Sequence, residues 1–433
     1  MYLSLSDWTA RRQAAGAHPA ATVAFKASPT VIALGIVSML TDISSESVAA
    51  ILPLYITGAL GLSMVAYGFL DGLNQGTSAI VRIAAGYTAD RTNRPKPVAV
   101  VGYGLSMVAR IGLLFAQGFA GITAIIGADR IGKGIRTAPR DAMIQSSSQP
   151  EHLARSFGIH RMLDTIGATI GPFLAFVVLL LVPDGYRVVF VVSLAAAILG
   201  VAVLGLIVPN LRLRRPVAET AGAPSESKIG LPARPSVRFR DVVKGRLRYV
   251  LFAAGLLGLV TVGDGFVYLA LMDHGHLQTY WFPLLFVGSN AVFLALAIPL
   301  GRLADRTSRA GVFIVGHLAL AASYLCAGLD GSIPIVLLCL VLLGAFYAAT
   351  DGVLAALAGQ ISPEGATSTG IASAQTVVAV TRLVASTGFG FLWFLFGAGP
   401  VMIGAAVMMT LLVPVAWRVI SKRITQPVDR AAP

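Results

Sequence analysis

An all-α membrane protein, with twelve transmembrane helices in two pseudo-symmetric six-helix bundles, is the fold class that this sequence predicts. Three observations predict it: a composition that water cannot solvate, apolar stretches long enough to cross a bilayer, and one motif that recurs half a chain apart. Hydrophobic residues make up 56% of the 433 and charged residues only 12%, against about 25% charged in an ordinary soluble domain. Lipid must therefore be the solvent for much of the surface. In lipid a lone strand leaves its backbone unpaired, so each long apolar segment is predicted as a helix.

Twelve such segments, each near the length of about 20 residues that a span needs, fall close to 29–57, 64–86, 97–117, 121–144, 155–182, 187–208, 249–272, 280–301, 311–328, 333–360, 366–396 and 399–420. They divide the chain into an N-terminal tail (1–28), a first six-helix bundle (29–208), a basic linker (209–248), a second bundle (249–420) and a C-terminal tail (421–433). The linker holds four interior prolines and ten Lys/Arg against three acids, the composition of a flexible connector. Arg11 and Arg12 precede polar, Ala-rich sequence rather than an apolar stretch, so the first span is expected to be retained rather than cleaved. The net charge of +13 is concentrated in alternate loops. Loops 58–63, 118–121 and 397–400 carry no charge, whereas Arg91, Arg94, Lys96, Arg155, Arg306, Arg309, the linker, Arg418, Lys422 and Arg423 occupy the other side. By the positive-inside rule both termini are expected in the cytoplasm, with the chain multi-pass in an inner (plasma) membrane. The charge is thereby explained without nucleic acid, and basic loops are placed to meet anionic lipid. Cys326 and Cys339 lie in apolar runs and read as core residues.

Charges within predicted spans cost roughly 2.5–3.5 kcal/mol each on insertion scales and so face a cavity or a partner. The first bundle has Asp42 and Glu46, Asp71 and Arg82, then Asp129, Arg130, Lys133, Arg136, Arg140 and Asp141, then His160, Arg161 and Asp164; the second has Asp264, Asp351 and Arg382. Asp42 and Glu46 are four apart and share a helix face. Asp129, Lys133, Arg136 and Arg140 form one stripe of the fourth span, which therefore lines a wet gap or meets acids of the first, second and fifth spans. Depth along the spans pairs Glu46 with Arg130 and Asp42 with Arg136. Structural ion pairing accounts for these residues as well as proton exchange does; the proton-coupling candidates are Asp42, Glu46, Arg130 and Asp71. Lys133, Arg136, Asp264, Asp351 and Arg382 are the candidates for a substrate cavity. Tyr55, Tyr268, Phe346, Tyr347 and Trp393 offer apolar contact or core packing. In the fifth span Gly167, Gly171 and Pro172 are placed for tight packing or for a hinge pivoting on the eighth span.

The recurring motif is Gly86-Tyr87-Thr88-Ala89-Asp90-Arg91, matched by Gly301-Arg302-Leu303-Ala304-Asp305-Arg306 at the end of the eighth span. Together with Arg130-Ile131-Gly132-Lys133-Gly134 in the fourth span, these hexapeptides resemble the loop and fourth-helix motifs of the major facilitator superfamily. Thr88 stands where that family has Leu, and Asn93 and Ser308 where it has Gly. The resemblance covers residues 29–420 and implies that family's fold, a non-enzymatic transporter, and a substrate site near the midplane between the bundles. It further implies a conformational latch built from Gly86, Asp90, Arg91, Arg140, Gly301, Asp305 and Arg306, with Asp90 meeting a fourth-span arginine and the start of the eleventh span. Gly158, Gly167 and Gly171-Pro172 match the spacing of the family's exporting-antiporter signature, with Ala175 and Phe176 in place of its terminal glycines. Residues 129–144 and 157–172 resemble a prokaryotic subgroup of drug or metabolite efflux proteins, some relatives of which are linked to metal resistance.

Other chemistries find little support. Gly127 to Lys133 fits a phosphate-loop pattern, but Gly134 replaces the Ser/Thr that binds magnesium. His274 and His276 are only two candidate metal ligands; His160 and His317 read as packing residues. No catalytic triad and no cofactor motif is found. The expected function is proton-coupled efflux of a small organic molecule by a monomer working through alternating access. The arginine and lysine cluster favours an acidic cargo over a cationic drug. The alternatives are a metal or metallophore exporter, an anion uptake symporter, or a membrane sensor or scaffold without turnover.

Overall fold

The computed structural model describes residues 28–76, 95–149, 152–210, 245–275, 277–329, 331–362 and 367–424. Among them all regular structure is helical. Helix α1 spans Pro29–Leu54 and continues as a π-turn over Tyr55–Ala59; α2 covers 64–76, the described part of the second span. Then follow α3 (Pro95–Phe115), α4 (Gly118–Ser146), α5 (Leu153–Leu181), α6 (Tyr186–Leu206), α7 (Leu247–Gly258), α8 (Asp264–Gly275), α9 (Phe282–Arg306), α10 (Arg309–Gly328), α11 (Ile333–Ile361), α12 (Thr367–Phe396) and α13 (Ala398–Ile424). With α7 and α8 as one crossing, these are the twelve expected. Nine of the described helices are long and apolar enough to cross a bilayer. Helix α4 is not among them, because Asp129, Arg130 and Lys133 already fall within its first apolar stretch.

The two bundles repeat one packing scheme. Helix α1 lies against α5 and α6, and α3 against α4 and α6. In the second bundle α7 lies against α12 and α13, and α10 against α11 and α13. Counted as spans, these are the same four neighbour relations in each half, as a duplicated unit requires. Apolar side chains such as Val101, Val191, Ile298 and Phe394 are exposed on the outer faces, where acyl chains replace water. Lys96, at the start of α3, donates to the carbonyls of Gly205 (2.9 Å) and Val208 (2.6 Å), capping the last turn of α6 with a cation.

The seventh span departs from the sequence expectation of one helix over 249–272. It breaks at 259–263, and α8 begins at Asp264. Hydropathy does not register backbone geometry; the signal was Gly263-Asp264-Gly265, a breaker pair around an N-terminal acid. A break at membrane depth strands backbone groups that must be satisfied internally. Tyr324 of α10 does so: its buried hydroxyl accepts from the Val262 N–H (2.9 Å) and donates to the Val260 carbonyl (3.2 Å). Tyr324→Phe should therefore destabilise the protein by about 1–3 kcal/mol, read as a lower melting temperature in detergent. An unchanged melting temperature would mean that the break does not need this support.

The bundles meet tightly at the face opposite Pro29 and Ile424, here termed the far face. A Cβ on Gly72 of α2 would lie 2.7 Å from the Leu383 carbonyl oxygen, and one on Gly68 would lie 3.1 Å from the Gly390 Cα and press on the Ser386 carbonyl. Only glycine allows α2 and α12 to come this close. Beside them Tyr67, Phe266, Phe389 and Trp393 form a buried aromatic plug, with Tyr67–Phe266 and Phe266–Phe389 ring centroids 4.7 and 5.0 Å apart. On the opposite flank Phe176 of α5 meets Tyr280 and Trp281 in the turn just before α9. The far face is thus sealed in this conformation.

Candidate functional site

Two polar cavities lie behind that seal. The larger, about 570 Å³, is lined from α1, α3, α4, α5 and α9 and includes Asp42, Glu46, Lys133, Arg136, Arg140, Arg161 and Asp164. The smaller, about 320 Å³, is lined from α2, α7, α10, α11 and α12 and includes Asp351 and Arg382. Most of the charged positions singled out from the sequence therefore face one of two cavities, and both volumes fall within the range of small-molecule sites, about 300–1,000 Å³.

The pairings within the first bundle differ from those expected. Glu46 meets Lys133 (3.8 Å), not Arg130, and both members of this pair are about one-third exposed (34% and 33%). Arg130 instead meets Asp129 (3.5 Å), which is also bound by Arg110 of α3 (3.1 Å). Arg110 is the residue that the sequence reading missed. As an arginine within the third span it carried the same insertion cost as the others, and it draws Asp129 out of the Lys133–Arg136–Arg140 stripe into the α3–α4 interface. Arg110 Nε also donates to Ser44 Oγ (3.3 Å), tying α3 to α1. Arg136 does not pair with Asp42 directly. Its guanidinium lies 4.7 Å from the centroid of the Tyr103 ring, and its Nη1 is buried without a hydrogen-bond partner.

Asp42 faces Asp164 of α5 within hydrogen-bonding reach, in the electrostatic range of Lys133 and Arg136. Asp164 is held by Arg161 (3.1 Å). The approach of α5 to α1 that sets up this contact is made by glycines. A Cβ on Gly171 would lie 2.8 Å from the Ser47 backbone nitrogen, and one on Gly167 would press on the Met39 carbonyl. Gly167 and Gly171 thus seat against α1 and not against the eighth span, α9, where a pivot was expected; Pro172 lies within α5. Gly158, the first glycine of that signature, has open space around it. His160 is a packing residue, bonded through Nε2 to Ser38 Oγ (2.8 Å).

In the second bundle Asp264, at the first position of α8, is bound by the Tyr347 hydroxyl. Asp71 of α2 accepts from Ser386 of α12 (2.6 Å) and abuts Gly263 in the break, so one carboxylate joins both bundles just behind the aromatic plug. Tyr268 and Phe346 are buried core residues, Trp393 belongs to the plug, and Tyr55 packs on Tyr186 and Phe190. Of the latch residues, Gly86, Asp90 and Arg91 lie outside the described residues. In the second copy Asp305 binds Arg309 (2.7 Å), which reaches Gln360 of α11 (3.2 Å), while Arg306 is exposed and Gly301 has open space around it. Arg140 pairs with its neighbour Asp141 (3.0 Å) and donates to Ser38 (3.3 Å). His274 bonds the Ala270 carbonyl, and among the described residues no three His, Cys, Asp or Glu are grouped to hold a metal ion.

Known proteins similar to this chain include transporters. The sequence profile described as the Major Facilitator Superfamily matches residues 34–294. An uncharacterised MFS-type transporter of Methanocaldococcus jannaschii is 30% identical over 394 residues, covering 88% of this chain and 94% of its own length. An uncharacterised protein of Mycobacterium tuberculosis is 30% identical over 144 residues, 33% of this chain and 34% of its own. Among solved structures, the nucleoside transporter NupG overlays with a TM-score of 0.74 at 12% identity, over 90% of this chain and 98% of that one. A bacterial homologue of the human lysosomal transporter Spinster, inward-facing and unoccupied, overlays with a TM-score of 0.74 at 16% identity, over 93% and 98% of the two chains. At such identities the structural likeness speaks for the fold alone.

Proposed function

This chain belongs to the major facilitator superfamily, and from that premise we propose that it exports a small organic molecule bearing an acidic group, in exchange for protons, by alternating access. The observation that carries this reading is the meeting of Asp42 and Asp164 in the larger cavity. Two carboxyl groups at hydrogen-bonding distance hold a proton between them, since two bare carboxylates in contact repel. The pair belongs to one bundle and faces the gap, so rocking the bundles changes which side of the membrane supplies its water. A proton is taken up from one side and released to the other.

The lining of the larger cavity carries four cations, Lys133, Arg136, Arg140 and Arg161, against three acids, Asp42, Glu46 and Asp164. Its excess is positive, and Arg136 has a free N–H; an anionic group suits it better than a cationic one. Export is supported by the spacing of Gly158, Gly167, Gly171 and Pro172, which resembles the exporting-antiporter signature. Gly167 and Gly171 of that signature are also the ones that seat α5 on α1 where Asp164 meets Asp42. In this reading the far face is the outside of an inner membrane, both termini are cytoplasmic, the Asp305–Arg309 pair and the Asp90 loop latch the cytoplasmic side, and a monomer completes the cycle.

The test uses the full chain in proteoliposomes and a panel of radiolabelled organic acids, amino acids and cationic drugs under an imposed pH gradient. Solute should accumulate on the acidic side, and collapse of the gradient should end the accumulation. Accumulation on the alkaline side would identify a symporter, and accumulation indifferent to the gradient would remove proton coupling.

A further inference from the structure

Arg382 and Asp351 both line the 320 Å³ cavity of the second bundle without touching each other. Among the described residues neither takes part in an ion pair within 4 Å, Asp351 receives no side-chain hydrogen bond and Arg382 donates none, its guanidinium lying 5.8 Å from the centroid of the Tyr347 ring. Arg382 Nε is buried with no partner. The other two acids around Arg382 are already engaged, Asp264 by Tyr347 and Asp71 by Ser386. Asp351 is exposed and lines the cavity, and the cations that bear on it are Arg382 first and Arg161 of α5 second. Opposite charges that line one cavity attract each other. Left apart, they leave room for a ligand that carries the complementary pair.

His317 adds direction. Its Nδ1 lies 2.9 Å from the Phe313 carbonyl, which only accepts, so Nδ1 is the donor. In the neutral ring Nε2 then presents a lone pair, which suits an ammonium N–H. Gln75, Thr261, Thr350 and Gln375 complete the polar lining. We infer that this cavity holds the head group of an amphoteric solute, its carboxylate on Arg382 and its ammonium toward Asp351 and His317. Guanidinium forks match carboxylates in geometry, and an arginine is the appropriate anchor for the acid end. The inference deepens the transport reading by naming the cargo's class, and rests on it only in taking the cavity for part of the pathway. The first bundle then exchanges the proton and draws anions into the gap with its positive excess, and the second bundle holds the head group.

Equilibrium binding to the full-length protein in detergent, with no gradient present, separates this inference from proton coupling. Matched triads serve as probes: leucine, isocaproate and isoamylamine; phenylalanine, 3-phenylpropionate and phenethylamine. The amino acid of each triad should bind roughly tenfold or more tightly than its acid or its amine, the scale of one additional charged hydrogen bond. Asp351→Asn should reduce the amino acid to the level of the acid, and Arg382→Gln should reduce it to that of the amine. Arg382→Lys, which keeps the charge, guards against a fold defect and should retain part of the preference. Equal binding of amino acid and acid by the wild type, no binding by any probe, or an unchanged ratio in both Asp351→Asn and Arg382→Gln would overturn the assignment. Absence of gradient-driven flux in the wild type with the binding preference intact would instead count against the proton-coupling reading alone.

Discussion

Asp42→Asn is expected to reduce gradient-driven transport roughly 100-fold, the scale on which removal of an essential proton-transfer group acts, while leaving equilibrium binding of solute within about threefold, a change of less than one 1.4 kcal/mol step. Asparagine has the shape of aspartate and still hydrogen-bonds Asp164, so the α1–α5 contact survives; what is lost is the exchangeable proton. Asp164→Asn should behave alike, because the proton belongs to the pair. Glu46→Gln should do much less. Its partner Lys133 is 3.8 Å away and both are one-third exposed; such pairs contribute about 0–1 kcal/mol. The ordering Asp42 ≈ Asp164 ≫ Glu46 is the signature to look for in proteoliposome flux. Equal loss in all three variants would indicate general disruption of the cavity. No loss in Asp42→Asn would exclude the pair as the proton carrier.

The second large effect concerns the far-face seal. A valine at Gly72 places Cβ 2.7 Å from a backbone carbonyl of α12, and backbone has nowhere to move without separating the helices. Overpacking of this kind costs typically about 1–3 kcal/mol, and the cost falls only on the conformation in which α2 and α12 touch. The closed-to-open ratio at that face should fall roughly tenfold to a hundredfold for this reason. In a chain with Cys326 and Cys339 replaced by alanine, a cysteine at Ser386 reports the change, since Ser386 is fully buried behind the seal. Gly72→Val should expose it to a membrane-impermeant maleimide added on the far side and should nearly abolish turnover. Unchanged labelling together with normal transport would show that this contact does not gate the far face.

Both predictions depend on features that the sequence shows to different degrees. Span number and order were legible because a bilayer imposes length and hydropathy on every crossing, and the Gly86 and Gly301 hexapeptides marked the duplication. The charged spans were legible for the same reason: only a cavity or a partner offsets an intramembrane charge, and Lys133, Arg136, Arg140, Arg161 and Asp164 all line one. Partner choice was not legible. Depth along a helix cannot tell which of several arginines reaches a given acid, and Arg110, deep in the third span, redirected Asp129 and with it Arg130. The break in the seventh span was written in Gly263-Asp264-Gly265, yet its support by Tyr324 is a contact between residues 62 apart in sequence. Likewise the spacing of Gly167 and Gly171 announced a close approach without naming α1 as the helix approached.

The most direct test of proton exchange is to record pH inside proteoliposomes, with a trapped dye, while the solute that binds best is added outside. Each solute molecule entering should be matched by protons leaving, so that the lumen turns alkaline with wild-type protein and holds its pH with Asp42→Asn. Solute uptake by the wild type with a constant internal pH, or an equal pH change in the variant, would contradict the account.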